Sequence, residues 1–233
     1  KMILYQYCSY WNIVKDGSKK RHADLYGINS KKIKCDYFLI HDEWYKFFFD
    51  YFDTNFVVTG SVKNNGIIKN SNTKPIYDIM LISEFRTKVT DYYGTNGSVS
   101  TMRLSDVCIS YISKILSNYC EQNNKKLTIA LVANRRDKNY KDPQFRKDEL
   151  DFFKRDIKNF EIENIDSTQL AEKSKLCICL ASNLGPELLS RGNKVLFLNI
   201  HYFVLGWPFL KTKNGPFWYK GQDKETILEK IEK

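Results

Sequence analysis

Hydrophobic positions along the chain fall into two kinds of segment. Short apolar runs bounded by polar residues or glycine read as strands; stretches with apolar residues three and four apart read as helices. The densest stretch is residues 175–199, KLCICLASNLGPELLSRGNKVLFLN. Residues 176–180 form an apolar run of the kind buried on both faces of a sheet. Ser182, Asn183, Leu184, Gly185, Pro186 and Glu187 then turn the chain. Pro186 suits a first helical turn, where its missing N–H costs nothing. Residues 187–191 predict a short helix that Gly192 and Asn193 end, and residues 194–199 a second apolar strand. Strand, helix and strand at this spacing make a βαβ unit of a parallel sheet. Its turn then lies at the carboxyl edge, where doubly wound sheets bind ligands. N–H groups at the helix start favour an anion, and the carboxylate of Glu187 could take two ribose hydroxyls. The bland alternative is an ordinary βα turn with Pro and Glu as helix-start residues.

The same pattern continues on either side. Residues 2–7, 35–41 and 55–59 predict strands, with a polar loop over 8–18, a basic stretch over 19–34 and an amphipathic helix over 42–52. Residues 62–75, rich in Asn, Lys, Gly and Ser, read as a linker. Beyond it, strands are predicted at 76–82, 127–133 and 160–165, and helices at 101–123, 148–159, 169–174 and 224–232. The strand at 127–133 runs into Asn134, Arg135, Arg136 and Asp137 at a carboxyl edge. Two adjacent arginines there suit a nucleotide phosphate and an anionic sugar; a solvated βα loop is the alternative. Asp137 is the nearest carboxylate to that edge and a weak catalytic candidate.

The stretch Ser182-Asn183-Leu184-Gly185-Pro186-Glu187-Leu188-Leu189-Ser190-Arg191-Gly192-Asn193-Lys194-Val195-Leu196 resembles the nucleotide-binding segment of GT-B glycosyltransferases and of the related sugar-nucleotide 2-epimerases. It is most similar to bacterial surface-polysaccharide transferases, including those that use Kdo, although Asn193 and Lys194 replace the usual Gly-Lys-Pro. Val57-Val58-Thr59-Gly60-Ser61 resembles the strand that leads out of a GT-B N-terminal domain, and residues 215–218 (Gly-Pro-Phe-Trp) a similar ending in polysaccharide transferases. The resemblance implies an α/β fold of two Rossmann-like domains (GT-B). Residues 1–68 would be the latter part of an N-terminal acceptor-side domain. The N-terminal domain is expected to be incomplete, because Lys1 runs straight into strand-like sequence. Residues 69–233 would be the C-terminal nucleotide-sugar-binding domain.

It also implies a site. The strand at 76–82 ends at Glu84 and Arg86, which become candidates for acid/base or hydroxyl binding and for phosphate or sugar-carboxylate binding; an exposed ion pair is the alternative. Donor binding falls to Arg86, Arg135, Arg136, Ser182, Asn183, Gly185 and Glu187, and catalysis to Glu84 and Asp137. The implied activity is transfer from a nucleotide sugar, with CMP-Kdo the leading donor, to a glycan or lipid-linked acceptor. Sugar-nucleotide 2-epimerase activity and a non-catalytic nucleotide-sugar-binding domain stay open.

Composition narrows this further. With 42% hydrophobic and 27% charged residues the chain is an ordinary globular one. No apolar run approaches the roughly twenty residues needed to span a bilayer. The formal charge of +10 comes from scattered lysines, with no arginine-rich helix or zinc finger. Nucleic acid is therefore disfavoured as a partner; the resemblance implies an inner-leaflet membrane surface instead, because polysaccharide transferases often act on lipid-linked acceptors. The six cysteines include no Cys-x-x-Cys pair and the three histidines lie far apart, so no metal site is expected. That thiol pattern fits a reducing cytoplasm. No Asp-x-Asp motif is present, and no cofactor is expected beyond the donor substrate.

Overall fold

The structure, a computed structural model, describes residues 1–5, 14–15, 18–19, 33–47, 49, 52–61, 73–85, 99–134, 143–180, 182–200 and 214–233. The chain is α/β and divides into two compact units, one of residues 1–68 with 202–212, the other of residues 69–201 with 213–233.

In the first unit, β1 (Ile3–Tyr5), β4 (Ile33–Ile40) and β5 (Phe52–Val58) form a parallel sheet in the order β1-β4-β5. Their β-branched and aromatic residues suit a pleated, half-buried surface. Phe38 lies 4.7 Å from Phe49 and 4.9 Å from Phe52, ring to ring, and packs with buried Cys35, Ile40 and Tyr45. The helix expected over 42–52 is not formed as such. A short 3-10 segment spans Glu43–Phe47, and Phe52 already opens β5. Aromatic side chains are poor helix formers, and Phe52 gains more against Phe38 than in a further turn. The loop expected over 8–18 contains part of an antiparallel pair, β2 (Val14–Lys15) and β3 (Ser18–Lys19). The intervening Asp16-Gly17 is the dipeptide that two-residue hairpins favour.

The second unit holds a six-stranded sheet in the order β10-β11-β9-β8-β6-β7. Strands β6 (Tyr77–Ile82), β7 (Leu127–Ala130), β8 (Ser174–Cys179), β9 (Val195–Asn199) and β11 (Trp218–Lys220) are mutually parallel. β10 (Asn214–Gly215) pairs antiparallel with β11, so the sheet is mixed rather than wholly parallel as expected. Residues 160–165 make no strand; a single parallel bridge joins Glu161 to Thr128. The ladder stops there because a side chain takes the next carbonyl: Asn134 Nδ2 donates to Glu163 O at 2.7 Å.

Among the described residues five α-helices complete this unit: α1 (Val99–Gln122), α2 (Pro143–Asp156), α3 (Ser167–Glu172), α4 (Leu184–Ser190) and α5 (Lys224–Glu232). α2 begins five residues before the expected 148, with Pro143 in the position where proline opens a helix. Asp166 caps α3 by accepting from Thr168 N, and Asp223 caps α5 by accepting from Thr226 N, each at 2.9 Å. Successive strand residues face opposite sides. Ile79, Leu81, Leu127, Ile129, Ile178 and Leu196 join one core with Ile112 and Leu116 of α1, Phe153 of α2 and Ile227 of α5.

The α1–α2 pair is tied by Asp156. It accepts from Arg155 and from Ser110 Oγ, and its carboxylate lies 3.2 Å from Lys114 Nζ. The Arg155 guanidinium, then Ser110 and Lys114, hold the Asp156 carboxyl well below the usual range, against the opposing effect of burial. A carboxyl depressed in the folded state stabilises above its unfolded pKa of about 3.9; that contribution disappears as pH falls further. Urea unfolding should therefore show stability declining below about pH 4, and Asp156→Asn should flatten that decline. An unaltered pH profile in Asp156→Asn would remove these contacts as a source of stability.

Candidate functional site

Chain order along the second sheet locates the site. β6 comes first and β7 lies beside it, with the Glu161 bridge beyond; the chain then returns to the other side of β6 for β8, β9 and β11. The direction of progress reverses between β6 and β8. In open α/β sheets the crevice outside the carboxyl ends at such a reversal receives the ligand. Two of the predicted segments flank it: residues 83–85 after β6 and residues 182–187 after β8.

After β6, Ser83, Glu84 and Phe85 are all buried. Ser83 N donates to Ala130 O at 3.1 Å, carrying the pairing with β7 one step further. Ser83 Oγ accepts from Phe85 N at 3.2 Å and donates to Glu149 Oε1 at 2.6 Å. Glu84 is only 9% exposed. Its charge reaches the end of β8: burial first, and Glu84 second, push the Cys179 thiol well up. The same two causes push Cys108 on α1 up to about 11.

After β7 the strand expected to continue through 133 stops at Ala130, and the chain tightens into a 3-10 turn, Val132–Asn134. Glu149 of α2 is the reason. Its Oε1 accepts from Val132 N at 2.8 Å and its Oε2 from Ala133 N at 3.0 Å, drawing both N–H groups away from a strand ladder. Asn134 Oδ1 accepts from Arg146, also on α2. This turn is the stem of Arg135, Arg136 and Asp137; those three residues, like Arg86, lie outside the described residues. Glu149 was not among the expected site residues. The readable signal was its position in the middle of an apolar helical stripe, four residues from Phe145 and from Phe153.

After β8, Cys179 Sγ donates to Ser182 O at 3.3 Å, and Ser182 O also accepts from Gly185 N at 3.1 Å. Ser182 Oγ accepts from Leu184 N at 3.3 Å. Asn183 precedes α4 without capping it, and its buried Oδ1 has no hydrogen-bond partner among the described residues. Such an acceptor is one a ligand donor could satisfy. Gly185 is buried, and a Cβ there would stand 2.5 Å from Cys179 Sγ and 2.8 Å from Phe197 Cε1. Its first requirement is thus close approach of α4 to β8 and β9. Glu187 Oε2 lies 4.0 Å from Arg191 Nη2, both side chains largely buried, so this carboxylate has an ion-pair partner one turn along its own helix.

Among the described residues no three His, Cys, Asp or Glu side chains gather as a metal-binding group. The five described cysteines are free and buried, and burial pushes the Cys177 thiol up to about 12. No helix among the described residues is long and apolar enough to cross a membrane.

Residues 12–232 match the model of a protein family described as "putative O-antigen biosynthesis protein". Neither a search of curated proteins nor one of solved structures returns a match.

Gly185→Ala should destabilise the protein by about 1–3 kcal/mol, the range for overpacking a filled core. Thermal unfolding checks this. A variant as stable as the parent would mean that α4 can withdraw from β8, and the close-packing account of this glycine would be wrong.

Proposed function

The chain belongs to the family described as putative O-antigen biosynthesis proteins, and we propose that it is a GT-B-type glycosyltransferase of surface-polysaccharide assembly. It moves a sugar from a nucleotide-sugar donor to a glycan or lipid-linked acceptor, working on the cytoplasmic side of the inner membrane. The observation that carries this reading is the reversal of strand order between β6 and β8, with Glu84 at one strand end and Ser182, Asn183 and Glu187 at the other. A sugar nucleotide fits that chemistry. Its ribose hydroxyls donate to Glu187, and a further donor meets Asn183 Oδ1. Arg135 and Arg136, which follow the turn after β7, meet the phosphates together with Arg86. As the glycosidic bond breaks, positive charge grows on the sugar ring and negative charge on the leaving phosphate. Arginines fixed beside that phosphate stabilise the transition state more than the ground state. A carboxylate, Glu84 or Asp137, takes the proton of the attacking hydroxyl. An anionic donor such as CMP-Kdo matches the arginine pair.

Calorimetric titration with CMP, UDP, GDP and CDP tests the donor site, and a donor-hydrolysis assay tests turnover. Arg135→Ala and Arg136→Ala should each weaken nucleotide binding by about 1.5–3 kcal/mol, the range for hydrogen bonds to charged groups. Equal affinity in the double variant would remove both from the site. Nucleotide binding without turnover would favour a non-catalytic domain.

Glu187 separates the readings further. Glu187→Gln keeps the shape but weakens charge-assisted bonds. It should lower affinity for a ribonucleotide while leaving the weak binding of a 2′,3′-dideoxy analogue unchanged. An equal drop for both ligands would place the ribose elsewhere. No drop for either would leave Glu187 a structural role, its ion pair with Arg191 included.

A further inference from the structure

We propose that Glu149 is the positioning residue of this site: through one carboxylate, α2 sets the segment after β6 and the turn after β7 in a single geometry. The inference rests on the nucleotide-sugar reading for its purpose, though not for its geometry. The side chain is completely buried. Its oxygens collect Ser83 Oγ from one segment and Val132 N and Ala133 N from the other, at 2.6, 2.8 and 3.0 Å. The same helix reaches both segments by other side chains as well. Phe145 and Phe152 pack on Phe85 at 5.7 and 5.3 Å, and Arg146 donates to Asn134.

A buried carboxylate is costly unless donors surround it. Here those donors come from two segments that the chain separates by more than forty residues, and each segment leads directly into candidate chemistry. Glu84 follows Ser83, and Arg135 follows Asn134. The segment of the candidate acid/base group and the turn that leads to the candidate phosphate group are therefore set by the same two oxygens. Glu149 needs no contact with the ligand to act. A ligand that displaces one segment strains the bonds holding the other, so the two halves of the site respond together. An amide cannot replace it fully, because one of its two polar atoms is a donor and would face a donor.

The test compares Glu149→Gln, Ser83→Ala and a core control, Ile112→Val, whose side chain is buried against the sheet from α1. Amide hydrogen exchange is read over residues 83–85 and 131–134, and affinity for CMP, UDP, GDP and CDP by calorimetry. Glu149→Gln should speed exchange about tenfold in both segments and weaken nucleotide binding about tenfold, the equivalent of one charge-assisted bond. Ile112→Val should lower the melting temperature yet leave both readouts within about twofold. Ser83→Ala should loosen only the segment after β6, since Val132 and Ala133 keep their acceptor. Exchange that rises in one segment alone in Glu149→Gln, or equally in Ile112→Val, would overturn the proposal. If Glu149→Gln does not fold, Glu149→Asp, which keeps the charge but withdraws it by one methylene, carries the same comparison. A parent protein that binds none of the four nucleotides would sink the nucleotide reading, and the exchange arm alone would then decide whether Glu149 couples the segments.

Discussion

The carboxyl edge of the second sheet depends on a buried negative charge. Parallel strands end by releasing their chains into loops whose N–H groups have lost ladder partners. At the end of β7 two of those groups do not turn to water. They turn inward to Glu149, which no solvent reaches. Removing it would orphan two backbone N–H groups and a hydroxyl together, each costing about 1–3 kcal/mol when left unsatisfied in the interior. The turn Val132–Asn134 is therefore a consequence of α2 packing, not of its own sequence.

The edge is built differently one strand over. At β8 no carboxylate among the described residues is seen to gather the loop; Cys179, Ser182 and Gly185 close it by short contacts among themselves. This works only because Gly185 lets α4 approach to within side-chain contact of Cys179 and Phe197. Every residue of β9 is buried, so the sheet beneath α4 cannot yield. One side of the strand-order reversal is set by hydrogen bonds to a charge, the other by packing against a rigid sheet.

These two mechanisms differ in how far they could be read in advance. Apolar runs at 76–82, 127–133, 176–180 and 194–199 declared the parallel strands, with ends that the structure shifts, since strands buried on both faces are mostly apolar. The βα turn at 182–187 was legible because its residues are adjacent in sequence. The coupling of Ser83 to Val132 through Glu149 was not, since it joins three segments far apart along the chain. Glu149 reads locally as one more helix-surface carboxylate until its place between Phe145, Phe152 and Phe153 is weighed. β10 and β11 were hidden for another reason. Gly215 and Pro216 signal a turn, and strands of two or three residues leave too little pattern around it. The 160–165 strand failed because Asn134 supplies from a side chain what a ladder would have supplied from the backbone.

Glu187 carries the remaining ambiguity, and its geometry bears on how a carboxylate can serve both helix and ligand. A charge-assisted hydrogen bond runs at about 2.7–2.9 Å, whereas Arg191 Nη2 stands 4.0 Å from Glu187 Oε2. The pair is thus an electrostatic association rather than a locked fork. A carboxylate offers about four acceptor positions, and an ion pair at this length does not exhaust them. Arg191 meanwhile holds the side chain to one face of α4, with both groups mostly withdrawn from solvent. Holding an acceptor in place by charge reduces what a ligand must spend in ordering it. The ion pair is then compatible with the ribose contact proposed for Glu187, and would prepare it.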